Sequence, residues 1–376
     1  MIYLDYAATT PCSAEVVEAM LPYFSDAFAN ASSIDHLPGA RARKAVDEAR
    51  ERVAALVGAA PEDVIFTSGS TEANNLALSV SSAVLTTTIE HPSIREPFAR
   101  RKNPADRLLP VDENGRISIG DLDKILRDRP DSLVSIIATN NETGTEQDVQ
   151  AIAAVCKRYN VLFHTDATQA VGTRSLNLGR DGIDACSLSA HKIYGPKGIG
   201  ALIVRSRLRR RLSPFSYGGG HERGLRSGTL NVPGIVGFGV AAALTATQHN
   251  ERRRRLDVLR IKFLDALRSI IQDRVVPTVL LENASPHVLS LRLRGINNRA
   301  LLRAASREVA FSLGSACATN KNEPSGILLA LGLDKSQVNE TIRCSFSANQ
   351  TEAEVQAAAG VIAGAAQGLA GFSLSA

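Results

Sequence analysis

Lys192 lies in SLSAHKIYGPKG (Ser187 to Gly198), beside His191 and a glycine-rich turn that carries a second lysine, Lys197. A lysine in such a place is either a solvated turn charge or an amine held in a cleft, where loss of water makes it a nucleophile able to form a Schiff base. Asp166 directly follows the apolar run VLFHT, at the carboxyl end of an expected strand, where open α/β sheets bind ligands. There it serves as a helix cap or as the acidic partner of a protonated ring nitrogen. Ser68, Gly69, Ser70 and Thr71 stand between a strand and a helix in VIFTSGSTEANNLAL, so their N–H groups and hydroxyls suit a phosphate or simply cap the helix. The stretch lacks the Gly-Lys-Ser/Thr ending of a Walker loop, and no G-x-G-x-x-G sits between a strand and a helix, which disfavours ATP and NAD. A phosphate loop, an acid after a strand and a lysine in a turn are together the parts that pyridoxal 5'-phosphate requires. The conjunction is far more specific than any member.

The elements that must hold these groups are visible as alternating patterns. Apolar residues recur at helical spacing from Ala45 to Gly58, and the strand DVIFT follows. Further on come the strand LVSIIAT (133–139), a helix from Gln147 to Tyr159, the strand VLFHT (161–165) and strands around Ala185 and Ala201. Strands alternating with helices predict an α/β unit with a mostly parallel sheet covered on both faces. Past about Val240 the texture changes to a long charged helix from near Thr245 to Ile271. Strands HVLSLRL, VAFSLG and TIRCSFS then interleave with helices RALLRAASRE and SGILLALG, which predicts a smaller α+β unit. Its last helix opens on a capping box, Thr351 with Glu354. At 376 residues the chain exceeds what one hydrophobic core usually organises. The predicted division is a large cofactor-binding domain over 14–245 and a small domain made of 1–13 with 246–376.

Composition narrows the class. Hydrophobic residues make up 44%, and no apolar run nears the roughly 20 residues of a membrane span. The opening stretch MIYLDYAATTPCS lacks the basic-then-apolar pattern of a secretion signal, so a cytoplasmic protein without a membrane partner is expected. Five cysteines, an odd number without C-x-x-C spacing, argue against a disulfide framework or a zinc knuckle. Cys12, Cys156 and Cys186 fall in or near core elements and read as small hydrophobes. His164 and Asp166 could face one side of a strand, but no third ligand accompanies them and no metal is expected. The net charge is +5, and the arginine clusters RSRLRRRL (205–212) and ERRRRL (251–256) have no interleaved aromatics. They read as solvated helix faces rather than a nucleic-acid surface.

The blocks YLDYAATTP, FTSGSTEANNLA, NNETG, HTDATQAVG, SAHKIYGPKGIGAL, GGGHERGLRSGT and GSACAT run in order over nearly the whole chain. They resemble the signature blocks of the cysteine desulfurases of the NifS/IscS type, which are class-V aminotransferases. The resemblance implies fold type I of the pyridoxal-phosphate transferases, with a seven-stranded sheet in the large domain. It implies that Lys192 is the Schiff-base lysine, which leaves Lys197 a turn charge. It also implies that Asp166 pairs with the ring nitrogen, Gln169 contacts the ring hydroxyl, and His91 stacks over the ring face. Thr71, Ser189 and His191, with Ser70, would bind the phosphate. Thr229 would reach the phosphate of a neighbouring subunit, which implies a homodimer. Asn141 and Arg343 would hold the substrate, L-cysteine, whose carboxylate suits the guanidinium fork. Cys317 would be the nucleophile that takes the sulfur as a persulfide and leaves alanine, and the polar segment around it reads as an exposed, mobile loop. Arg343 and Cys344 are neighbours on a strand and should face opposite ways.

Within the family the chain is most similar to the desulfurases of DNA phosphorothioation systems. The segment Ser79–Thr88 is short, so a peripheral helix and strand are expected to be truncated or absent. The loop CATNKNEPS and the short ending GFSLSA point away from an iron–sulfur scaffold and toward a dedicated acceptor protein, which Arg252 to Arg255 could face. Two competing readings remain. Another class-V enzyme, an aminotransferase or selenocysteine lyase, would share Lys192 and Asp166, and an aminotransferase would have no use for Cys317. A non-catalytic sulfur carrier would need Cys317 alone.

Overall fold

The computed structural model describes residues 1–80, 82–129, 131–314 and 324–373, with side chains as far as residue 370. Eight strands come first: β1 (Ile2–Tyr3), β2 (Val64–Thr67), β3 (Val84–Thr87), β4 (Arg107–Leu109), β5 (Leu133–Ser135), β6 (Leu162–Asp166), β7 (Ala185–Ser189) and β8 (Gly200–Val204). Four more follow the longest helix: β9 (Val275–Pro277), β10 (Val288–Leu293), β11 (Val309–Ala310) and β12 (Thr341–Ser345). The central sheet has seven strands in the order β2-β8-β7-β6-β5-β3-β4. Only β8 runs antiparallel to its neighbours. Strands β2, β3, β5, β6, β7 and β8 are buried at every position, as near-continuous apolar runs in a covered sheet must be.

The strand expected to be truncated or absent is present, four residues long. β3 lies within the short segment, and only the helix is lacking, since the described residues between Ala77 and Val84 form none. LVSIIAT contributes three ladder residues rather than seven, yet its continuation stays beside β6. Ile136 N donates to His164 O, and Ala138 N donates to Asp166 O, which holds the end of β6 in place.

The helix expected to begin near Thr245 begins at Val232 and runs unbroken to Ile271. Asn231 caps it by accepting from Gly234 N, with proline in the first turn. Its first part is rich in glycine, and at Gly239 another helix, Leu37–Leu56, lies against it. A Cβ on Gly239 would stand 2.6 Å from Ala49 Cα, so only glycine permits this approach.

Val232, Phe238 and Ala242 of the long helix join a core with Val46, Phe66 and Phe163. Leu256, Phe263 and Leu267 join a second core with Leu4, Leu291, Phe346 and Ile362. The second core lies over the antiparallel sheet β12-β10-β9 and the parallel pair β1-β11. The last helix, Glu352–Ser373, opens on the expected box: Thr351 N donates to Glu354 Oε2, and Glu354 N donates to Thr351 Oγ1.

The arginine clusters are not simply solvated faces. Arg207 bonds the Asn160 carbonyl and pairs with Asp184, and Arg209 pairs with Asp63. Arg253 forks onto Glu146, Arg255 bonds Glu352 and the Gln350 carbonyl, and Arg252 lies 5.0 Å above the Tyr194 ring. These internal partners take up part of the charge that an acidic protein would meet. Among the described residues no helix is long and apolar enough to cross a membrane.

Candidate active site

The carboxyl ends of the parallel strands open onto a cavity of about 240 Å³. Ser70, Thr71, His91, Asn141, Asp166, Gln169, His191, Lys192 and Arg343 all line it, together with Ala7, Ala8, Ile137 and Thr168. Four larger depressions, of about 820, 520, 490 and 260 Å³, hold none of the candidate site residues. The chemistry therefore lies in the smaller, more enclosed space.

Asp166 ends β6. Its Oδ1 accepts from Thr168 N at 3.0 Å, and its Oδ2 accepts from Asn74 Nδ2 at 2.7 Å. A carboxylate has about four acceptor positions, so the group is oriented and still able to take a further donor. Asn74 also donates to Ser93 Oγ at 2.8 Å. Ser93 N in turn donates to His91 Nδ1, which caps the helix Pro92–Arg100. The capped nitrogen is an acceptor, so the neutral His91 ring carries its proton on Nε2. Burial lowers the His91 pKa; Asp166 opposes this and Lys192 adds to it.

Lys192 follows β7 through a single turn of 3-10 helix. Its Nζ donates to the carbonyls of Ala7 (2.5 Å) and Ala8 (2.8 Å). Burial, together with Lys192 and Lys197, lowers His191 to about 4, so it is neutral at pH 7. Lys197 is exposed in the turn that follows.

Arg343, on β12, is buried. It donates to Asp5 Oδ1 at 2.6 Å and to the Asn141 carbonyl at 2.8 Å. Its Nε and the Asn141 Oδ1 are both buried without a partner. Cys344, on the other face of β12, is buried in the second core, and burial drives its thiol pKa far up. It is not available as a thiolate.

Ser70 and Thr71 open the helix Ser70–Ala77. Ser68 N, expected to face a phosphate, donates instead to Glu72 Oε2. Burial would raise Glu72, but hydrogen bonds from Arg226 and Ser68 hold it below its ordinary value. Ser189 is buried at the end of β7 behind Gly69 and does not line the cavity. Thr229 is exposed and also does not line it. Cys317 lies outside the described residues. His164 spends both ring nitrogens on the hydroxyls of Ser135 and Ser187.

The aminotransferase class-V family matches residues 2–358. The chain belongs to that family. It is 38% identical over 371 residues to the cysteine desulfurase IscS of Neisseria meningitidis, covering 96% of this chain and 91% of that protein. Among solved structures, a NifS-like protein superposes with a TM-score of 0.88 at 32% identity, covering 96% of this chain and 98% of the other. DndA from Streptomyces lividans superposes with a TM-score of 0.75 at 33% identity, covering 92% and 99%. This class-V chain is accordingly a pyridoxal-phosphate-dependent cysteine desulfurase with the fold of those enzymes, taking sulfur from L-cysteine. DndA stands among its structural neighbours beside the NifS-like protein at 32% identity.

The residues present fit the cofactor. Two buried atoms without partners, Arg343 Nε and Asn141 Oδ1, face the needs of a ligand. Asp166 keeps acceptor capacity in the same cavity, and the lining adds the Lys192 amine and the hydroxyls of Ser70, Thr71 and Thr168.

Several contributors in this desulfurase went unassigned from sequence. Asp5 and Asn74 sit inside quoted blocks, which was their only signal. Glu90 is fully buried: its Oε1 accepts from Thr87 Oγ1 and Ile137 N, and its Oε2 has no partner. His287 reaches Gln169 from 118 residues away, with no local pattern to reveal it.

Proposed function

We propose that Lys192, Asp166, Arg343 and Cys317 divide the desulfurase reaction among them. The single observation that carries this is the gathering of the first three, from the turn after β7, the end of β6 and β12, around one cavity. When bound, pyridoxal phosphate supplies an electrophilic carbon for the substrate amine and a ring that takes up electrons from the substrate's α-carbon. Ser70, Thr71 and His191 would hold its phosphate, with Ser189 behind them and Thr229 supplied by a second copy. Asp166 would hold the proton at the ring nitrogen, His91 would cover the ring face, and Gln169 would meet the ring oxygen. Arg343, through the Nε–H that now lacks a partner, and Asn141, through its amide NH2, would hold the carboxylate of L-cysteine. Lys192 Nζ would take the α-proton. The Cys317 thiolate would attack the substrate sulfur, forming an S–S bond as the C–S bond breaks; alanine leaves and the persulfide stays on the enzyme for an acceptor.

Two cores joined by the helix Val232–Ile271 support a large domain over 14–245 and a small one formed by 1–13 and 246–376, the latter carrying Cys317. A homodimer in the cytoplasm is part of the same reading. The acceptor is a protein of iron–sulfur assembly, of DNA phosphorothioation or of another thio-modification.

The test compares the parent enzyme with Cys317→Ser for sulfide and alanine release from L-cysteine with a reductant present. Release should fall at least about a hundredfold while the cofactor's visible absorption still responds to cysteine. Undiminished release would remove Cys317 from the mechanism.

A further inference from the structure

Gln169 is tied at both ends of its amide. Its Nε2 donates to the Ala7 carbonyl at 2.8 Å, and its Oε1 lies 3.0 Å from His287 Nε2. A carbonyl can only accept, so the amide nitrogen must face Ala7 and the amide oxygen must face the histidine. His287 Nε2 therefore carries its proton and donates it. Nδ1 of the same neutral ring is then an acceptor, and Ser285 Oγ, at 2.8 Å, donates to it. Ser285 Oγ lies 3.0 Å from Thr173 Oγ1, which supplies the next proton. The chain of bonds leaves the turn after β6 at Thr173, crosses to the segment before β10, and returns at Gln169.

His287 keeps this polarity over the working pH range. Burial, with Lys192, Arg253 and Arg343 adding positive charge nearby, lowers its pKa to about 3.

We infer that His287 is a positioning residue that holds the Gln169 amide oxygen toward itself and so presents the amide N–H to the cavity as a donor. With Oε1 turned to His287 and one N–H spent on Ala7, the donor Gln169 has left for the cavity is its second N–H. A ligand atom meeting it must be an acceptor. The inference rests on the proposed contact between Gln169 and the ring oxygen, and specifies the form of that oxygen: the ionised one, which accepts without needing to donate. The segment before β10 thus acts on the cofactor through Gln169 without touching it.

The test uses the intact enzyme loaded with pyridoxal phosphate and reads the pH midpoint of its visible absorption and the cofactor Kd. His287→Leu should move the midpoint by about half a unit or more and raise Kd roughly three- to tenfold, the effect of one net hydrogen bond. His287→Gln, which can still donate, should recover most of both. Gln169→Leu should reproduce the shift, and His287→Leu should add nothing in its presence. An unchanged midpoint in His287→Leu with a shifted one in Gln169→Leu would overturn the inference alone, as would additive effects in the double variant. An unchanged midpoint in Gln169→Leu would overturn the ring contact and the inference together. Thermal midpoints of the cofactor-free variants separate a folding defect from these effects, because a purely structural loss does not depend on Gln169.

Discussion

Glu90 shows what burial does to a second acid near Asp166. Desolvation pushes its carboxyl up to about 8, against hydrogen bonds from Thr87 and Ile137 that favour the charged form, and the charge of Asp166 adds to the rise. The folded protein therefore holds a proton here that the unfolded chain releases near its ordinary pKa of about 4.5. Below that pH the contribution to stability is complete; as pH rises toward about 8 it is progressively lost. His191 and His287 act in the opposite sense, because their lowered values cost stability as pH falls below the ordinary histidine value of about 6.5. Glu90→Gln isolates the acid: the difference in thermal midpoint between variant and parent should grow in the variant's favour from pH 5 to pH 8. A constant difference would mean that Glu90 is charged throughout. Of the site residues, Lys192 and Asp166 were legible because a turn and a strand end announce them. Glu90, Asn74 and His287 were not, since their roles come from hydrogen bonds to partners that folding alone brings close.

The long helix carries the clearest case of opposed local and tertiary preference. Gly239 costs helix propensity, yet an added methyl would strike Ala49. Gly239→Ala should destabilise the protein by about 1–3 kcal/mol in urea unfolding. Gly364, in the last helix, has nothing within 4 Å of its would-be Cβ, and Gly364→Ala should stabilise by about 0.5–1 kcal/mol. Equal signs at the two sites would show that propensity rather than packing governs the long helix. The glycines also explain why the helix start was misplaced from sequence: VPGIVGFG reads as loop until a partner helix is known. β3 was hidden for a related reason, because four residues suffice for a ladder strand when both flanks pair.

At the scale of the molecule, the two cores share one rigid rod. Because Val232–Ile271 packs its first part in one core and its later part in the other, loss of either core strips support from the same helix. Unfolding in urea, followed by far-UV circular dichroism and by cofactor absorption, should show coincident transitions. Two separated transitions would mean that the helix parts near its charged middle. The mostly parallel sheet was legible from alternating strands and helices, whereas its strand order and the paths that cross between cores leave no periodic trace.

The stretch from Asp5 to Thr10 has a further consequence in time. Asp5 accepts from Arg343, Ala7 N donates to Ser345 Oγ, and the carbonyls of Ala7 and Ala8 accept from the amine of Lys192. During synthesis these residues leave the ribosome early, and their partners on β12 follow more than three hundred residues later. The large sheet can form while translation proceeds, but the wall of the cavity that Arg343 completes cannot. Acquisition of activity by a nascent chain should therefore be abrupt and late, set by the arrival of β12 rather than by the folding of the sheet.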